Sequence, residues 1–115
     1  MKRVLIGQFG SIVRLGLREL LESEDGCDVV AEENGDDRVL DRLLYALPDV
    51  VVLDLDDEPG AAQLVNAITS GFPAVTVIAC SSQRPAMRVF PSFHHGESYL
   101  SELSPELLIE AVKKS

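Results

Sequence analysis

Residues 48–60 read PDVVVLDLDDEPG, and this stretch decides the fold. Val50-Val51-Val52-Leu53 is a β-branched and aliphatic run with no polar alternation. Such a run suits a strand buried on both faces, as in a parallel sheet covered by helices on each side. It opens directly onto Asp54. The ends of such strands emerge into a crevice where open α/β sheets place their chemistry, so Asp54 stands where a functional carboxylate is expected. An acid solvating a strand end would occupy the same position, and the rest of the chain has to choose between them.

Upstream, Arg3-Val4-Leu5-Ile6 forms a short strand ending at Gly7-Gln8-Phe9-Gly10. From Ser11, a candidate N-cap, Val13, Leu17, Leu20 and Leu21 recur at helical spacing. Gly16 within that helix costs roughly 1 kcal/mol relative to alanine, which points to close packing there. Cys27 to Ala31 is a second strand. Asp36 or Asp37 caps a second helix with Val39, Leu40, Leu43, Leu44 and Leu47 as its buried stripe, and Pro48 stops it.

Downstream, the acidic turn 56–60 leads into a helix through Leu64, Val65 and Ile68, with Gly71 as its stop. Ala74 to Cys80 is a fourth strand. Pro85 and Pro91 lie six residues apart, which leaves room for little more than one helical turn between them. Mobility is expected across Arg84–His95. Ser98 to Leu100 is a minimal fifth strand. Ser104-Pro105-Glu106 then supplies a cap, a proline at the first helical position and an acid in the first turn. Leu107, Leu108, Ala111 and Val112 form the buried face of this last helix.

The fold class that follows is α/β. It is a single doubly wound, five-stranded parallel sheet of order 2-1-3-4-5 with helices on both faces, its fourth helix shortened or disordered. A length of 115 residues fits one domain, residues 1–115. Hydrophobic content of 46% fits a soluble globular chain. No apolar run approaches a membrane span, and the first strand is too short and polar-flanked for a signal peptide. Cys27 and Cys80 make neither a metal spacing nor a disulfide framework, which places the chain in a reducing, cytoplasmic compartment. A net charge of −9 argues against this domain gripping nucleic acid by its own surface.

The chain resembles the receiver domain of two-component response regulators, of the CheY-like class. Within it the likeness is to the NarL/LuxR-type subfamily, which carries a helix-turn-helix output. The matching pieces are Val4-Leu5-Ile6, Val13-Arg14 with Gly16-Leu17-Arg18 and Leu20-Leu21-Glu22, and Pro48 to Leu55. Tyr99-Leu100 and Ser104-Pro105-Glu106-Leu107-Leu108 complete them in order. The resemblance implies that Asp54 is the position such domains phosphorylate. It also implies a homodimer, through the first and last helices or the switch face, with DNA contacted only through an output domain outside these 115 residues.

Phosphoryl transfer to a carboxylate needs Mg²⁺ held by oxygen ligands. In the family an acidic pair after strand 1 supplies them, and here those positions read Gln8-Phe9. The first acid in the chain is Glu19, and no lysine occurs between Lys2 and Lys113. Ser101-Glu102 stand where the family has its lysine, and the hydroxyl position of strand 4 falls at Cys80, with Ser81 the nearest hydroxyl. A unit charge pair at contact is worth roughly 4 kcal/mol at an effective dielectric near 20. Removing two carboxylates therefore costs the cation several kcal/mol. The expectation is an atypical, phosphorylation-independent receiver domain, not an enzyme, without metal or cofactor, acting as a dimerisation and regulatory module in transcription.

A refinement is that Gln8–Ser11 and Ser81–Gly96 together form a site for a small-molecule or protein effector. Its candidate residues are Arg84, Arg88, Phe90, Phe93 and His94, with His94-His95 too isolated for a metal site. The rival is a nucleotide-binding, Rossmann-like regulatory domain. Gly7-Gln8-Phe9-Gly10-Ser11 would hold phosphate and Glu32 or Glu33 would hold ribose. Its glycines are two residues apart where the fingerprint wants one. A thiol sensor at Cys80 lacks a basic neighbour and a resolving partner.

Overall fold

The computed structural model describes the chain except Met1, Gln8, Gly10 and residues 34–35, 55–60, 82–84 and 95–96; the side chains at 11, 12, 36, 61 and 94 are likewise outside the description. Its elements are β1 (Lys2–Gly7), α1 (Ser11–Glu22), β2 (Cys27–Glu33), α2 (Asp36–Ala46), β3 (Val50–Asp54), α3 (Ala61–Gly71), β4 (Thr76–Ser81), β5 (Ala86–Phe90), β6 (Tyr99–Glu102) and α4 (Pro105–Lys114). A short 3-10 turn, Ser92–His94, lies between β5 and β6.

The sheet runs β2-β1-β3-β4-β5-β6. Its first four strands are parallel, as the unbroken apolar runs require. Val50, Val51 and Val52 are fully buried at its centre, because helices cover both faces. On one face Leu17, Leu20 and Leu21 of α1 and Leu108, Ala111 and Val112 of α4 pack over Val4, Ile6, Val52 and Ile78. On the other, Val39 and Leu43 of α2 and Leu64, Val65 and Ile68 of α3 pack over Leu5, Val51, Leu53 and Val77. Gly7 closes β1 where a methyl group would meet Leu53 Cδ2 at 3.0 Å and Val39 Cγ2 at 3.1 Å.

The expected five-stranded sheet is corrected to six strands, and the expected fourth helix is a strand. Between its two prolines the chain forms β5, antiparallel to β4 with Cys80 opposite Met87 and Ala79 opposite Arg88. β6 pairs antiparallel with β5 in turn, so it lies one strand further from β4 than the order 2-1-3-4-5 placed it. The physical reason is local. Five residues between prolines leave every helical N–H in the first turn without an acceptor, whereas a strand between two strands satisfies its amides. Met87 and Val89 alternate inward against Arg88 outward, with the period of a strand.

Three stripe positions also differ. Val13, Leu44 and Leu47, read as buried, are exposed. Gly16 has nothing within 4 Å of where its Cβ would stand, so it serves no close approach. The last helix begins as read, with the Ser104 side chain accepting from Leu107 N–H at 3.2 Å.

Candidate functional site

Asp54 ends β3 and is the register partner of Cys80 on β4. Side chains alternate along a strand, so Asp54 shares the face of Val50 and Val52, toward α1 and α4. There it lines a crevice of about 100 Å³ with Phe9, Val13, Leu17, Cys80 and Leu103. Phe9 lies two residues after the end of β1 and is only 6% exposed, its ring part of the core under α1. Among the described lining residues, Asp54 and Cys80 are the polar ones and the others are apolar. Burial, and after it the charge of Asp54, pushes the Cys80 thiol up to about 12. At neutral pH it stays protonated, and a protonated thiol is not a nucleophile. Among the described residues no three His, Cys, Asp or Glu side chains are grouped as metal ligands.

The structure brings together Asp54, Phe9 and Cys80 of the residues singled out in the sequence. Ser81 follows Cys80 on the strand and turns to the opposite face. Ser101 and Glu102 lie on the edge strand β6, three strand spacings or about 14 Å from β3, and not beside the carboxylate. The residue that reaches the crevice from that end of the chain is Leu103. It precedes the Ser104 cap and shares a core cluster with Leu108, five residues on, which are the positions of a hydrophobic staple. That spacing was the available signal for Leu103. Val13 and Leu17 carried the helical signal, though not the aim toward Asp54.

The second group does not join the first. Arg88 and Phe90 lie on the face of the sheet that carries α3, while Phe9 lies on the face that carries α1. Of the described residues in Gln8–Ser11 and Ser81–Gly96, Phe9 therefore stands on the opposite face of the sheet from Arg88 and Phe90. Phe90 is half-buried against the α3 cluster, and Phe93 is 59% exposed with a left-handed backbone, φ 55°. Gln8, Arg84 and the side chain of His94 lie outside the described residues. The acids proposed for ribose are engaged elsewhere. Glu32 pairs with Arg18 at 2.8 Å and Arg14 at 3.7 Å, and Glu33 pairs with Arg42 at 3.0 Å.

Solved structures share the doubly wound fold over much of the chain. The isolated receiver domain of RcsB from Salmonella enterica serovar Typhimurium, in the presence of the phosphomimetic BeF3-, superposes with a TM-score of 0.63 at 25% identity, covering 70% of this chain and 61% of that one. The signal receiver domain of the response regulator NarL from Mycobacterium tuberculosis gives 0.63 at 27% identity, covering 70% and 66%. The fold is that of response-regulator receiver domains.

At the sequence level the chain is similar to the transcriptional regulatory protein LnrK of Bacillus subtilis, 24% identical over 97% of this chain and 52% of that protein. The oxygen regulatory protein NreC of Staphylococcus epidermidis is 27% identical over 96% and 53%. The chain thus spans about half the length of these relatives. No family model matches it. RcsB has also been solved bound to the promoter rprA, in a chain of which the match covers 43%. Among the described residues no helix is long and apolar enough to cross a membrane.

Proposed function

We propose that this receiver domain works without phosphorylation, as a cytoplasmic, non-enzymatic regulatory and dimerisation module of a transcriptional regulator. DNA is then contacted through an output domain, and the control signal is an effector other than phosphate. The observation that carries this reading is the lining of the Asp54 crevice. Mg²⁺ requires several oxygen ligands in octahedral geometry. Here Phe9, Val13, Leu17 and Leu103 surround one carboxylate and one buried thiol. Among the described residues, this lining does not fit the ion. Among the described lining residues none is cationic, no lysine occurs between Lys2 and Lys113, and the residue after β6, Leu103, lines the crevice.

Association is supported by exposed apolar side chains, Val13 and Leu15 on α1 and Tyr99 and Leu100 on β6, on an otherwise acidic domain. The test of the central claim is incubation with Mg²⁺ and a small-molecule phosphodonor, followed by intact mass. The expected result is an unchanged mass. A stable phosphate adduct mapped to Asp54 overturns the reading.

A further inference from the structure

Replacing the expected helix by β5 leaves part of the sheet bare. On the face that carries α2 and α3, β5 and β6 present exposed Arg88 and Leu100, the latter 64% accessible. Beside them runs a trough of about 850 Å³ whose walls include Thr69 of α3, Pro73, Val75, Phe90 and Pro91. A second hollow of about 200 Å³ shares Arg88 and Phe90 with it and is walled by Ala62 and Asn66 of α3. Positions 62, 66 and 69 recur at helical spacing, so one face of α3 flanks both hollows. Arg88 and Phe90 stand at the centre of the combined depression.

We infer that this trough binds a small amphipathic anion, its acid group held by Arg88 and its apolar body lying on Phe90, Val75, Pro73 and Pro91. The larger hollow alone is of the size that encloses small-molecule ligands, roughly 300–1,000 Å³. Arg88 is the cationic residue among the described walls of both hollows. In this acidic chain the guanidiniums of Arg14, Arg18 and Arg42 are paired with Glu32, Glu22 and Glu33. Arg88 makes one long contact, to Ser98 Oγ at 3.4 Å, and among the described residues no carboxylate lies within ion-pair distance of it. A guanidinium carries five donors in a planar fork that matches a carboxylate or sulfonate edge. Glu97 is the acid among the described lining residues and is exposed. It repels a second negative group, which restricts the ligand to a single acid with an uncharged remainder.

The site deepens the proposed function and rests on it for its biological sense, since it supplies an effector where phosphate is not used. Its floor is connected to the Asp54 strand by register, Arg88 opposite Ala79 and Ala79 beside Leu53.

The probe is 1-anilinonaphthalene-8-sulfonate, an aromatic monoanion, titrated into the 115-residue chain and followed by fluorescence. Saturable binding at one site is expected, weakened about ten-fold or more by Arg88→Gln, the loss of one charge-assisted contact. Arg88→Lys weakens it less, Asp54→Asn leaves it unchanged, and the uncharged N-phenyl-1-naphthylamine does not distinguish Arg88→Gln from the parent. Arg88 is exposed, so the variants keep the fold, which near-ultraviolet circular dichroism verifies. Absence of saturation, or equal affinity in Arg88→Gln, overturns the site. So does sedimentation showing that Arg88→Gln dissociates a dimer and that the probe competes with self-association, which gives the trough to a second copy. A phosphate adduct on Asp54 with normal probe binding removes the phosphorylation-independent reading alone, and the converse pair of results removes the trough alone.

Discussion

Asp54 and Cys80 are register partners on adjacent parallel strands, and both line one narrow crevice. Each constrains the other. The thiol is buried, and the neighbouring negative charge makes a second anion beside it costly, so Cys80 keeps its proton.

This relationship has a measurable pH signature. An ordinary thiol loses its proton near pH 9, whereas Cys80 holds its own to about 12. Below pH 9 both the folded and the unfolded chain keep that proton, and Cys80 contributes no pH dependence. Between about 9 and about 12 the unfolded chain binds fewer protons than the folded one, so stability falls as pH rises, by at most ~1.4 kcal/mol per unit. Denaturant melts of the parent and Cys80→Ala at pH 8 and pH 10.5 measure the difference: the variant falls less steeply. Asp54→Asn flattens the slope only in part, because burial is the larger cause.

Two glycines give opposite outcomes under the same substitution. Gly16 lies inside α1 with open space around its Cβ position, so Gly16→Ala is expected to stabilise by about 0.5–1 kcal/mol. Gly26 has equally open space but a φ of 97°, which an alanine adopts only under strain. Gly26→Ala is expected to destabilise by about 1 kcal/mol or more. Thermal melts of both variants decide it, and a stabilised Gly26→Ala contradicts the turn geometry.

Much of this architecture was legible because it rests on unbroken patterns. The run Val50–Leu53 announces a strand buried on both faces, and Ser104-Pro105-Glu106 announces a capped helix. Asp54 was legible as the strand's last residue, and Phe9 as the second residue after β1. The segment after β4 was not. Two prolines argue against a long helix, but they equally permit a strand, and the alternation of Met87, Arg88 and Val89 is too short to outweigh a family expectation. Once β5 enters the sheet, β6 moves outward and Ser101 and Glu102 leave the crevice for Leu103. Exposure of Leu44 and Leu47 was hidden for a different reason: helical spacing shows which residues share a stripe, not how far the neighbouring core extends along it.

Leu47 carries its own consequence. It follows α2 with a left-handed backbone, φ 48°, and its side chain is 71% exposed. This is the position after a helix where glycine is usual, because a Cβ there is crowded by the backbone. Leu47→Gly therefore relieves strain while surrendering little burial, and an increase in stability of about 1 kcal/mol is expected. An unfolding midpoint that falls on this change would show that Leu47 is held by contacts its exposure does not reveal.

The placement of β5 is open to a direct measurement by nuclear magnetic resonance. The sequence, read alone, makes the stretch between Pro85 and Pro91 a stunted helix and a mobile segment. A helix of five residues leaves its first four N–H groups without intrahelical acceptors, so its amides would exchange quickly. In the sheet, Met87, Arg88 and Val89 sit between two antiparallel neighbours, Cys80, Ala79 and Ile78 on one side and Ser101, Leu100 and Tyr99 on the other. An N–H that points either way then meets a carbonyl. Slow exchange at residues 87–89 is expected, with cross-strand Overhauser contacts from Arg88 to both Ala79 and Leu100. Fast exchange across all three amides, or helical carbon shifts in their place, would return β6 to the side of β4 and close the trough that β5 opens.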